Sequence, residues 1–209
     1  MSPRLAVSTK IRPNVIILIH GFNSAPGRKL KQIQKYLSEK DQVEKFDIIA
    51  PKLNGEPKIA LKEINRLIRV NKGRKIYLIG TSLGGFYANY FRAKFKSDFL
   101  IVHSINPSWE PSVSLSMYAD SLLNNLKTND EWIFKKSYLN QLHKYETYIK
   151  SNLNTSSHNY FLHLSKNDEI LKFDKILNFL KKNKMNFKKI EYDTDHRFDR
   201  MNLMMNHII

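Results

Sequence analysis

Gly80-Thr81-Ser82-Leu83-Gly84-Gly85 places a serine between two glycines, each two residues away. A serine hydroxyl is a weak nucleophile at neutral pH. It attacks a carbonyl only when a general base takes its proton and an acid fixes the tautomer of that base. The Gly-x-Ser-x-Gly spacing is that of a nucleophile elbow, where the chain reverses so sharply that the serine backbone is strained and its hydroxyl projects. A Cβ at either flanking glycine would collide with the neighbouring strand or helix. A phosphate-binding turn would instead end in Gly-Lys-Ser/Thr, which is absent here.

Among the seven histidines, His196 stands in the loop after the last strand-like run, downstream of an acid in another strand-exit loop. The order serine, acid, histidine is the one this type of turn uses. Asp168 is preferred as the acid over its neighbour Glu169, which is expected to point elsewhere. Glu110, after the strand that follows the elbow, is an alternative position for the acid. Asp193 and Asp195 read as turn-shaping residues. His103 and His163 lie inside apolar runs and read as core residues, and His20, at the end of the first such run, reads as structural. The Leu83 N–H, at a helix N-terminus beside Ser82, and the Phe22 N–H, after Gly21, are the candidate oxyanion donors.

These residues must be positioned by the elements around them. Lys75–Ile79 is a short apolar run closed by Gly80, as in a strand covered on both faces. From Gly84 onward the composition is helical, with Phe86, Tyr90 and Ala93 on one stripe. Val15–Ile19, Phe46–Ala50, Phe99–Ile105, Asn159–Ser165 and Phe187–Asp193 read as further strands. Helices are expected over Lys29–Glu39, Ile59–Val70, Lys172–Lys182 and Asp199–His207. This alternation predicts a mostly parallel sheet of about six strands with helices on both faces, three layers in all. The rhythm breaks over 108–157, which shows no convincing strand. It reads as a helical, lid-like insertion over the carboxyl ends of the strands, shaping the acyl pocket.

The chain, 209 residues with 42% hydrophobic content, fits one globular domain spanning 1–209. It has no cysteine, which excludes disulfides, thiolate metal sites and cysteine nucleophiles. Met1–Asn14 is polar and has no signal-peptide core, and the run Val15–Ile19 is too short to span a membrane, so a cytoplasmic location is expected. The net charge of +16 raises binding of nucleic acid or another anionic partner as the rival to catalysis. The densest cluster, Lys181-Lys182-Asn183-Lys184 with Lys188-Lys189, reads as a solvated helix end and loop.

His20-Gly21-Phe22-Asn23-Ser24-Ala25-Pro26, the elbow, Asn106-Pro107, Asn167-Asp168-Glu169-Ile170-Leu171 and Asp195-His196-Arg197-Phe198 together resemble the YqiA-like family of small bacterial α/β-hydrolase esterases. The likeness spans nearly the whole chain and begins directly at the oxyanion strand. It implies a reduced α/β-hydrolase fold with Ser82 as nucleophile, Asp168 as acid and His196 as base. It further implies esterase or thioesterase activity on acyl esters, acyl-CoA among them, without metal or cofactor. Departures stand in two loops: Ser165-Lys166-Asn167 lacks the usual glycine before the acid, and Asp193-Thr194-Asp195 replaces glycines before the histidine.

Overall fold

The computed structural model of the protein describes residues 13–209, so the reading of Met1–Asn14 lies almost wholly outside the described residues. In chain order the elements are β1 (Asn14–Ile19), α1 (Arg28–Glu39), β2 (Phe46–Ile49), α2 (Pro57–Val70), β3 (Ile76–Thr81) and α3 (Leu83–Lys94). There follow β4 (Leu100–Ile105), α4 (Pro111–Ser114), β5 (Ser121–Asn124), β6 (Glu131–Phe134) and α5 (Lys136–Asn152). The chain closes with β7 (Tyr160–Ser165), α6 (Asp174–Lys182), β8 (Lys188–Tyr192) and α7 (Met201–Met205). Six strands pair in parallel in the order β2-β1-β3-β4-β7-β8.

Strand periodicity divides the core. Val15, Ile17 and Ile19 pack with α2 and α3 on one face, whereas Ile16 and Leu18 pack with α1 and with Met201, Met204 and Met205 of α7 on the other. The connection after β1 therefore leaves toward one face and that after β3 toward the opposite face. Adjacent strands whose connections diverge open a crevice at their carboxyl ends, where open α/β sheets bind ligands. The helix α3 lies beneath this crevice and is buried on nearly every side, not along the single stripe expected. It is enclosed by β1, β3, β4 and α5, with Tyr90 half-buried against the rings of Tyr145 and Tyr148.

The insertion differs from the expectation of a wholly helical lid. The strands β5 and β6 form an antiparallel hairpin that pairs Leu123 with Trp132. Each strand has only four residues, too short for a periodic signal, and their pairing is decided by contacts with the rest of the protein. Trp132 and Phe134 turn toward Phe22, at ring distances of 5.8 and 5.4 Å. The helix α5 lies against α3 and α2. Its Glu146, 3% exposed, accepts hydrogen bonds from Ser112 N (2.6 Å) and Ser112 Oγ (2.8 Å), fastening α4 to α5. Among the described residues no helix is long and apolar enough to cross a membrane.

His103 and His163 are core residues, joined Nδ1 to Nε2 at 3.0 Å, and His163 Nδ1 lies 2.9 Å from the Tyr192 hydroxyl. The Phe161 ring stacks on His103 at 4.6 Å. Burial, with His207 nearby, pushes the His103 imidazole down to about 3, and burial also holds His163 well below the usual range. A histidine whose folded pKa lies below its unfolded value of about 6.5 contributes stability that is complete above that value and lost as pH falls toward the folded pKa. Each such histidine changes stability by about 1.4 kcal/mol per pH unit within the window. The midpoint of urea unfolding is expected to drop clearly between pH 7 and pH 5, and a midpoint constant over that interval would contradict the neutral buried pair.

Candidate active site

Ser82 occupies the one-residue apex between β3 and α3 with φ 56° and ψ −117°, a region that costs a non-glycine residue about 1–3 kcal/mol. Three hydrogen bonds hold it there. Ser82 N donates to Ile105 O at 2.9 Å, while Ser82 O accepts from Phe86 N at 3.1 Å and Ser108 N at 3.2 Å. The elbow glycines are required by space: a Cβ on Gly80 would overlap the Gly84 carbonyl, and one on Gly84 would sit 2.5 Å from Ile19 O. The sharp turn thus rests on direct backbone contact between β3, α3 and β1.

His196 lies in the loop after β8, and its Nδ1 is 2.7 Å from Asp168 Oδ2. The Asp168 side chain is 1% exposed and that of His196 14%. The other carboxylate oxygen of Asp168 accepts the amides of Ile170 (2.9 Å) and Leu171 (2.7 Å). Burial pushes the Asp168 carboxyl up, but the hydrogen bond from His196 and those from the Leu171 and Ile170 amides outweigh it and hold the pKa below the usual value. The carboxyl is thereby kept ionised, and its contact turns Nδ1 of the imidazole toward it, with Nε2 on the other side of the ring.

Ser82, His196, Phe22 and Leu83 line one cavity of about 840 Å³, with Asp168 behind His196. Among the described residues no hydrogen bond joins Ser82 to His196, and none takes up the amide of Phe22 or Leu83. Nucleophile-to-base bonds are commonly loose before substrate enters. The alternative acid, Glu110, is instead engaged by Lys150 Nζ (2.9 Å) and Lys175 Nζ. Asp195 accepts from Arg197 N, as a turn-shaping residue does, whereas Asp193 accepts from Asn167 Nδ2 of the loop after β7. His20 is structural: Nδ1 donates to Gly21 O at 2.9 Å, and Nε2 accepts Leu53 N at 3.1 Å. Burial lowers its pKa, against the Gly21 hydrogen bond.

Three supports were not legible in the sequence. Glu169 does not point away, since its Oε2 accepts the His196 amide at 3.1 Å. Asn106, in the left-handed region at φ 42°, donates to Ser165 Oγ (2.7 Å) and His196 O (3.3 Å) and accepts from Ser165 N (2.8 Å). Asn23, at φ 48°, is gripped by the hairpin on three sides. Its Nδ2 donates to Asn124 O (2.8 Å), its Oδ1 accepts from Trp132 Nε1 (2.9 Å), and its carbonyl accepts from Leu126 N (3.0 Å). The insertion therefore fixes the loop that carries Phe22. An asparagine at a loop tip, before Ser-Ala-Pro, was the only available signal for it.

Solved structures with the same chain path identify the fold as that of the α/β-hydrolases. Est1E from Butyrivibrio proteoclasticus is 17% identical, with a TM-score of 0.67 over 94% of this chain and 89% of its own. The monoacylglycerol lipase of Paleococcus ferrophilus is 15% identical, with a TM-score of 0.62 over 93% of this chain and 96% of its own. Mouse alpha/beta hydrolase domain-containing protein 10 is 14% identical, with a TM-score of 0.65 over 93% and 87%. Within this class the chain belongs to the uncharacterised protein family UPF0227, the YqiA-like family, whose model matches residues 15–209.

The grip on the Phe22 loop continues through Trp132, whose ring lies so close over Gly55 that a Cβ there would overlap it. Gly55→Ala is expected to lower stability by about 1–3 kcal/mol, as overpacking does, and to speed protease cleavage within 121–134. Unchanged unfolding midpoint and cleavage pattern would show that the hairpin is not held by this contact.

Proposed function

We propose that the protein is a serine hydrolase that cleaves carboxylic esters and thioesters through an acyl-enzyme on Ser82. The observation that carries this reading is the strained Ser82 opening onto the same cavity as a histidine whose Nδ1 is bound 2.7 Å from a buried aspartate. His196 Nε2 takes the Ser82 proton as Oγ attacks the carbonyl. The negative charge then gathering on the carbonyl oxygen is met by the N–H groups of Phe22 and Leu83. His196 returns the proton to the leaving oxygen or sulfur, and water, activated by the same histidine, releases the acid. No step draws on a metal or cofactor.

Leu115, Met117 and Tyr118 of the insertion, with Ile170 and Leu171, line the apolar part of the cavity and suit an acyl chain. In this reading the insertion is the lid of the acyl pocket as well as the clamp on the oxyanion loop. The names of two proteins of the same fold, an esterase domain from Rhodothermus marinus and the Paleococcus monoacylglycerol lipase, agree with ester chemistry. The rival reading, a basic scaffold for nucleic acid, would draw on Lys181–Lys189 and is the less favoured because it gives no role to Ser82, His196 and Asp168. The lysine cluster is exposed at the end of α6 and along the edge strand β8.

With 4-nitrophenyl butyrate as substrate, Ser82→Ala and His196→Ala are each expected to lower kcat on the order of 10⁴-fold or more. Asp168→Asn is expected to lose about as much with the fold intact. Wild-type turnover by folded Ser82→Ala would overturn the mechanism.

A further inference from the structure

The same cavity carries a feature that ester cleavage alone does not need. Arg28 and Lys29 from the start of α1, Lys127 from the tip of the hairpin and Arg197 next to His196 all line it, and among the described residues Asp199 is the one carboxylate that does. Asp199 already faces Arg28 at 3.6 Å and Arg200 at 3.8 Å. Among the described residues Lys29, Lys127 and Arg197 pair with no carboxylate.

Lys29 is the centre of this group. Its Nζ donates to the Arg197 carbonyl at 2.5 Å, which ties the ammonium to the residue following the base. Burial lowers its pKa to about 8, and the charges of Lys127 and Arg28 add to the effect, while Asp195 and Asp199 oppose it without cancelling it. Like charges drawn together around a partly desolvated ammonium repel one another, and an anion placed among them relieves that repulsion. The three segments that supply these cations are far apart in sequence, and all of them reach this one cavity.

The side of the cavity also matters. In acyl transfer by a serine the base hands its proton to the departing group, so the leaving half of the substrate lies on the histidine's side. Lys29 Nζ is bonded to the carbonyl of Arg197, the residue after His196, which puts this ammonium beside the histidine loop, and both residues line the cavity that Ser82 and His196 share.

We propose that this cluster is an anion subsite and that the substrate is an ester or thioester whose leaving half carries an oxyanion group, carboxylate or phosphate, bound by Lys29, Arg28, Lys127 and Arg197. This inference rests on the hydrolase reading for its orientation. The subsite itself is open to test without turnover.

Two matched esters make the test: 4-nitrophenyl butyrate and 3-carboxy-4-nitrophenyl butyrate, which differ only in a carboxylate on the leaving phenol. Wild-type protein is expected to favour the carboxylated ester by about tenfold in kcat/KM, mainly through KM, with the preference fading in 1 M salt. Lys127→Ala, on an exposed hairpin tip, should reduce the ratio of the two kcat/KM values severalfold. Lys29→Met should reduce it further, and Lys29→Arg should restore part of it. Ser82→Ala, assayed by equilibrium binding, should hold the carboxylated ester more tightly than the neutral one at low salt. Competition by phenyl phosphate or by benzoate tells which oxyanion fits better, and inhibition by either supports the subsite. Equal binding of both esters to Ser82→Ala, or a ratio unmoved by both lysine substitutions, would overturn it. Absence of turnover with both esters, alongside tighter binding of the carboxylated one, would sink the hydrolase reading and leave the anion subsite standing.

Discussion

The constraint on which the structure depends is the backbone reversal at Ser82. A residue with a side chain is held at φ 56° and ψ −117°, and nothing local makes that conformation favourable. It persists because β3, α3 and β1 approach so closely that only glycine fits at positions 80 and 84, and because the Ile105 carbonyl and the Phe86 and Ser108 amides satisfy the serine backbone. The burial of α3 on nearly every side follows from the same requirement, since a helix that starts at the apex must run directly beneath the sheet's centre. The strain at one residue is thus balanced by the packing of the whole middle layer.

Around that fixed point the other groups are held from two directions. From one face, α1 reaches the histidine loop through Lys29 to Arg197 O and Gln32 to Asp199 O. Asn106 and Glu169 hold the backbone of His196 from the neighbouring strand ends. From the other side, the hairpin grips Asn23 and so sets the loop bearing Phe22. Ser82, His196 and the Phe22 loop therefore belong to separate segments, each held by hydrogen bonds from its neighbours. Such locking is what a preorganised site requires, because groups free to reorient would spend free energy at each turnover.

Much of this was legible in the sequence for physical reasons. Buried parallel strands announce themselves as short aliphatic runs, and the elbow is specified by glycines that steric contact demands. The pairing of Asp168 with His196 followed from chain order and from loops at adjacent strand ends. What could not be read depends on contacts between distant segments. The hairpin of the insertion has strands of four residues, and its place is decided by Asn23, Gly55 and Phe22, more than sixty residues upstream. Glu169 and Asn106 carry no local signature of the amides and carbonyls they meet. The cations around the cavity come singly from α1, the hairpin and the histidine loop, whereas the dense lysine run that attracted notice in the sequence ends up solvated at the sheet's edge.

The central claim is that Ser82 is the one activated nucleophile, and covalent capture tests it most directly. A fluorophosphonate reacts with a serine only where a base and an oxyanion site activate it. After brief exposure the account predicts a single phosphonyl adduct by intact mass, mapping to the peptide that contains Ser82 and absent from His196→Ala protein of unchanged fold. An unlabelled folded protein, or an adduct on another residue that survives loss of His196, would contradict it.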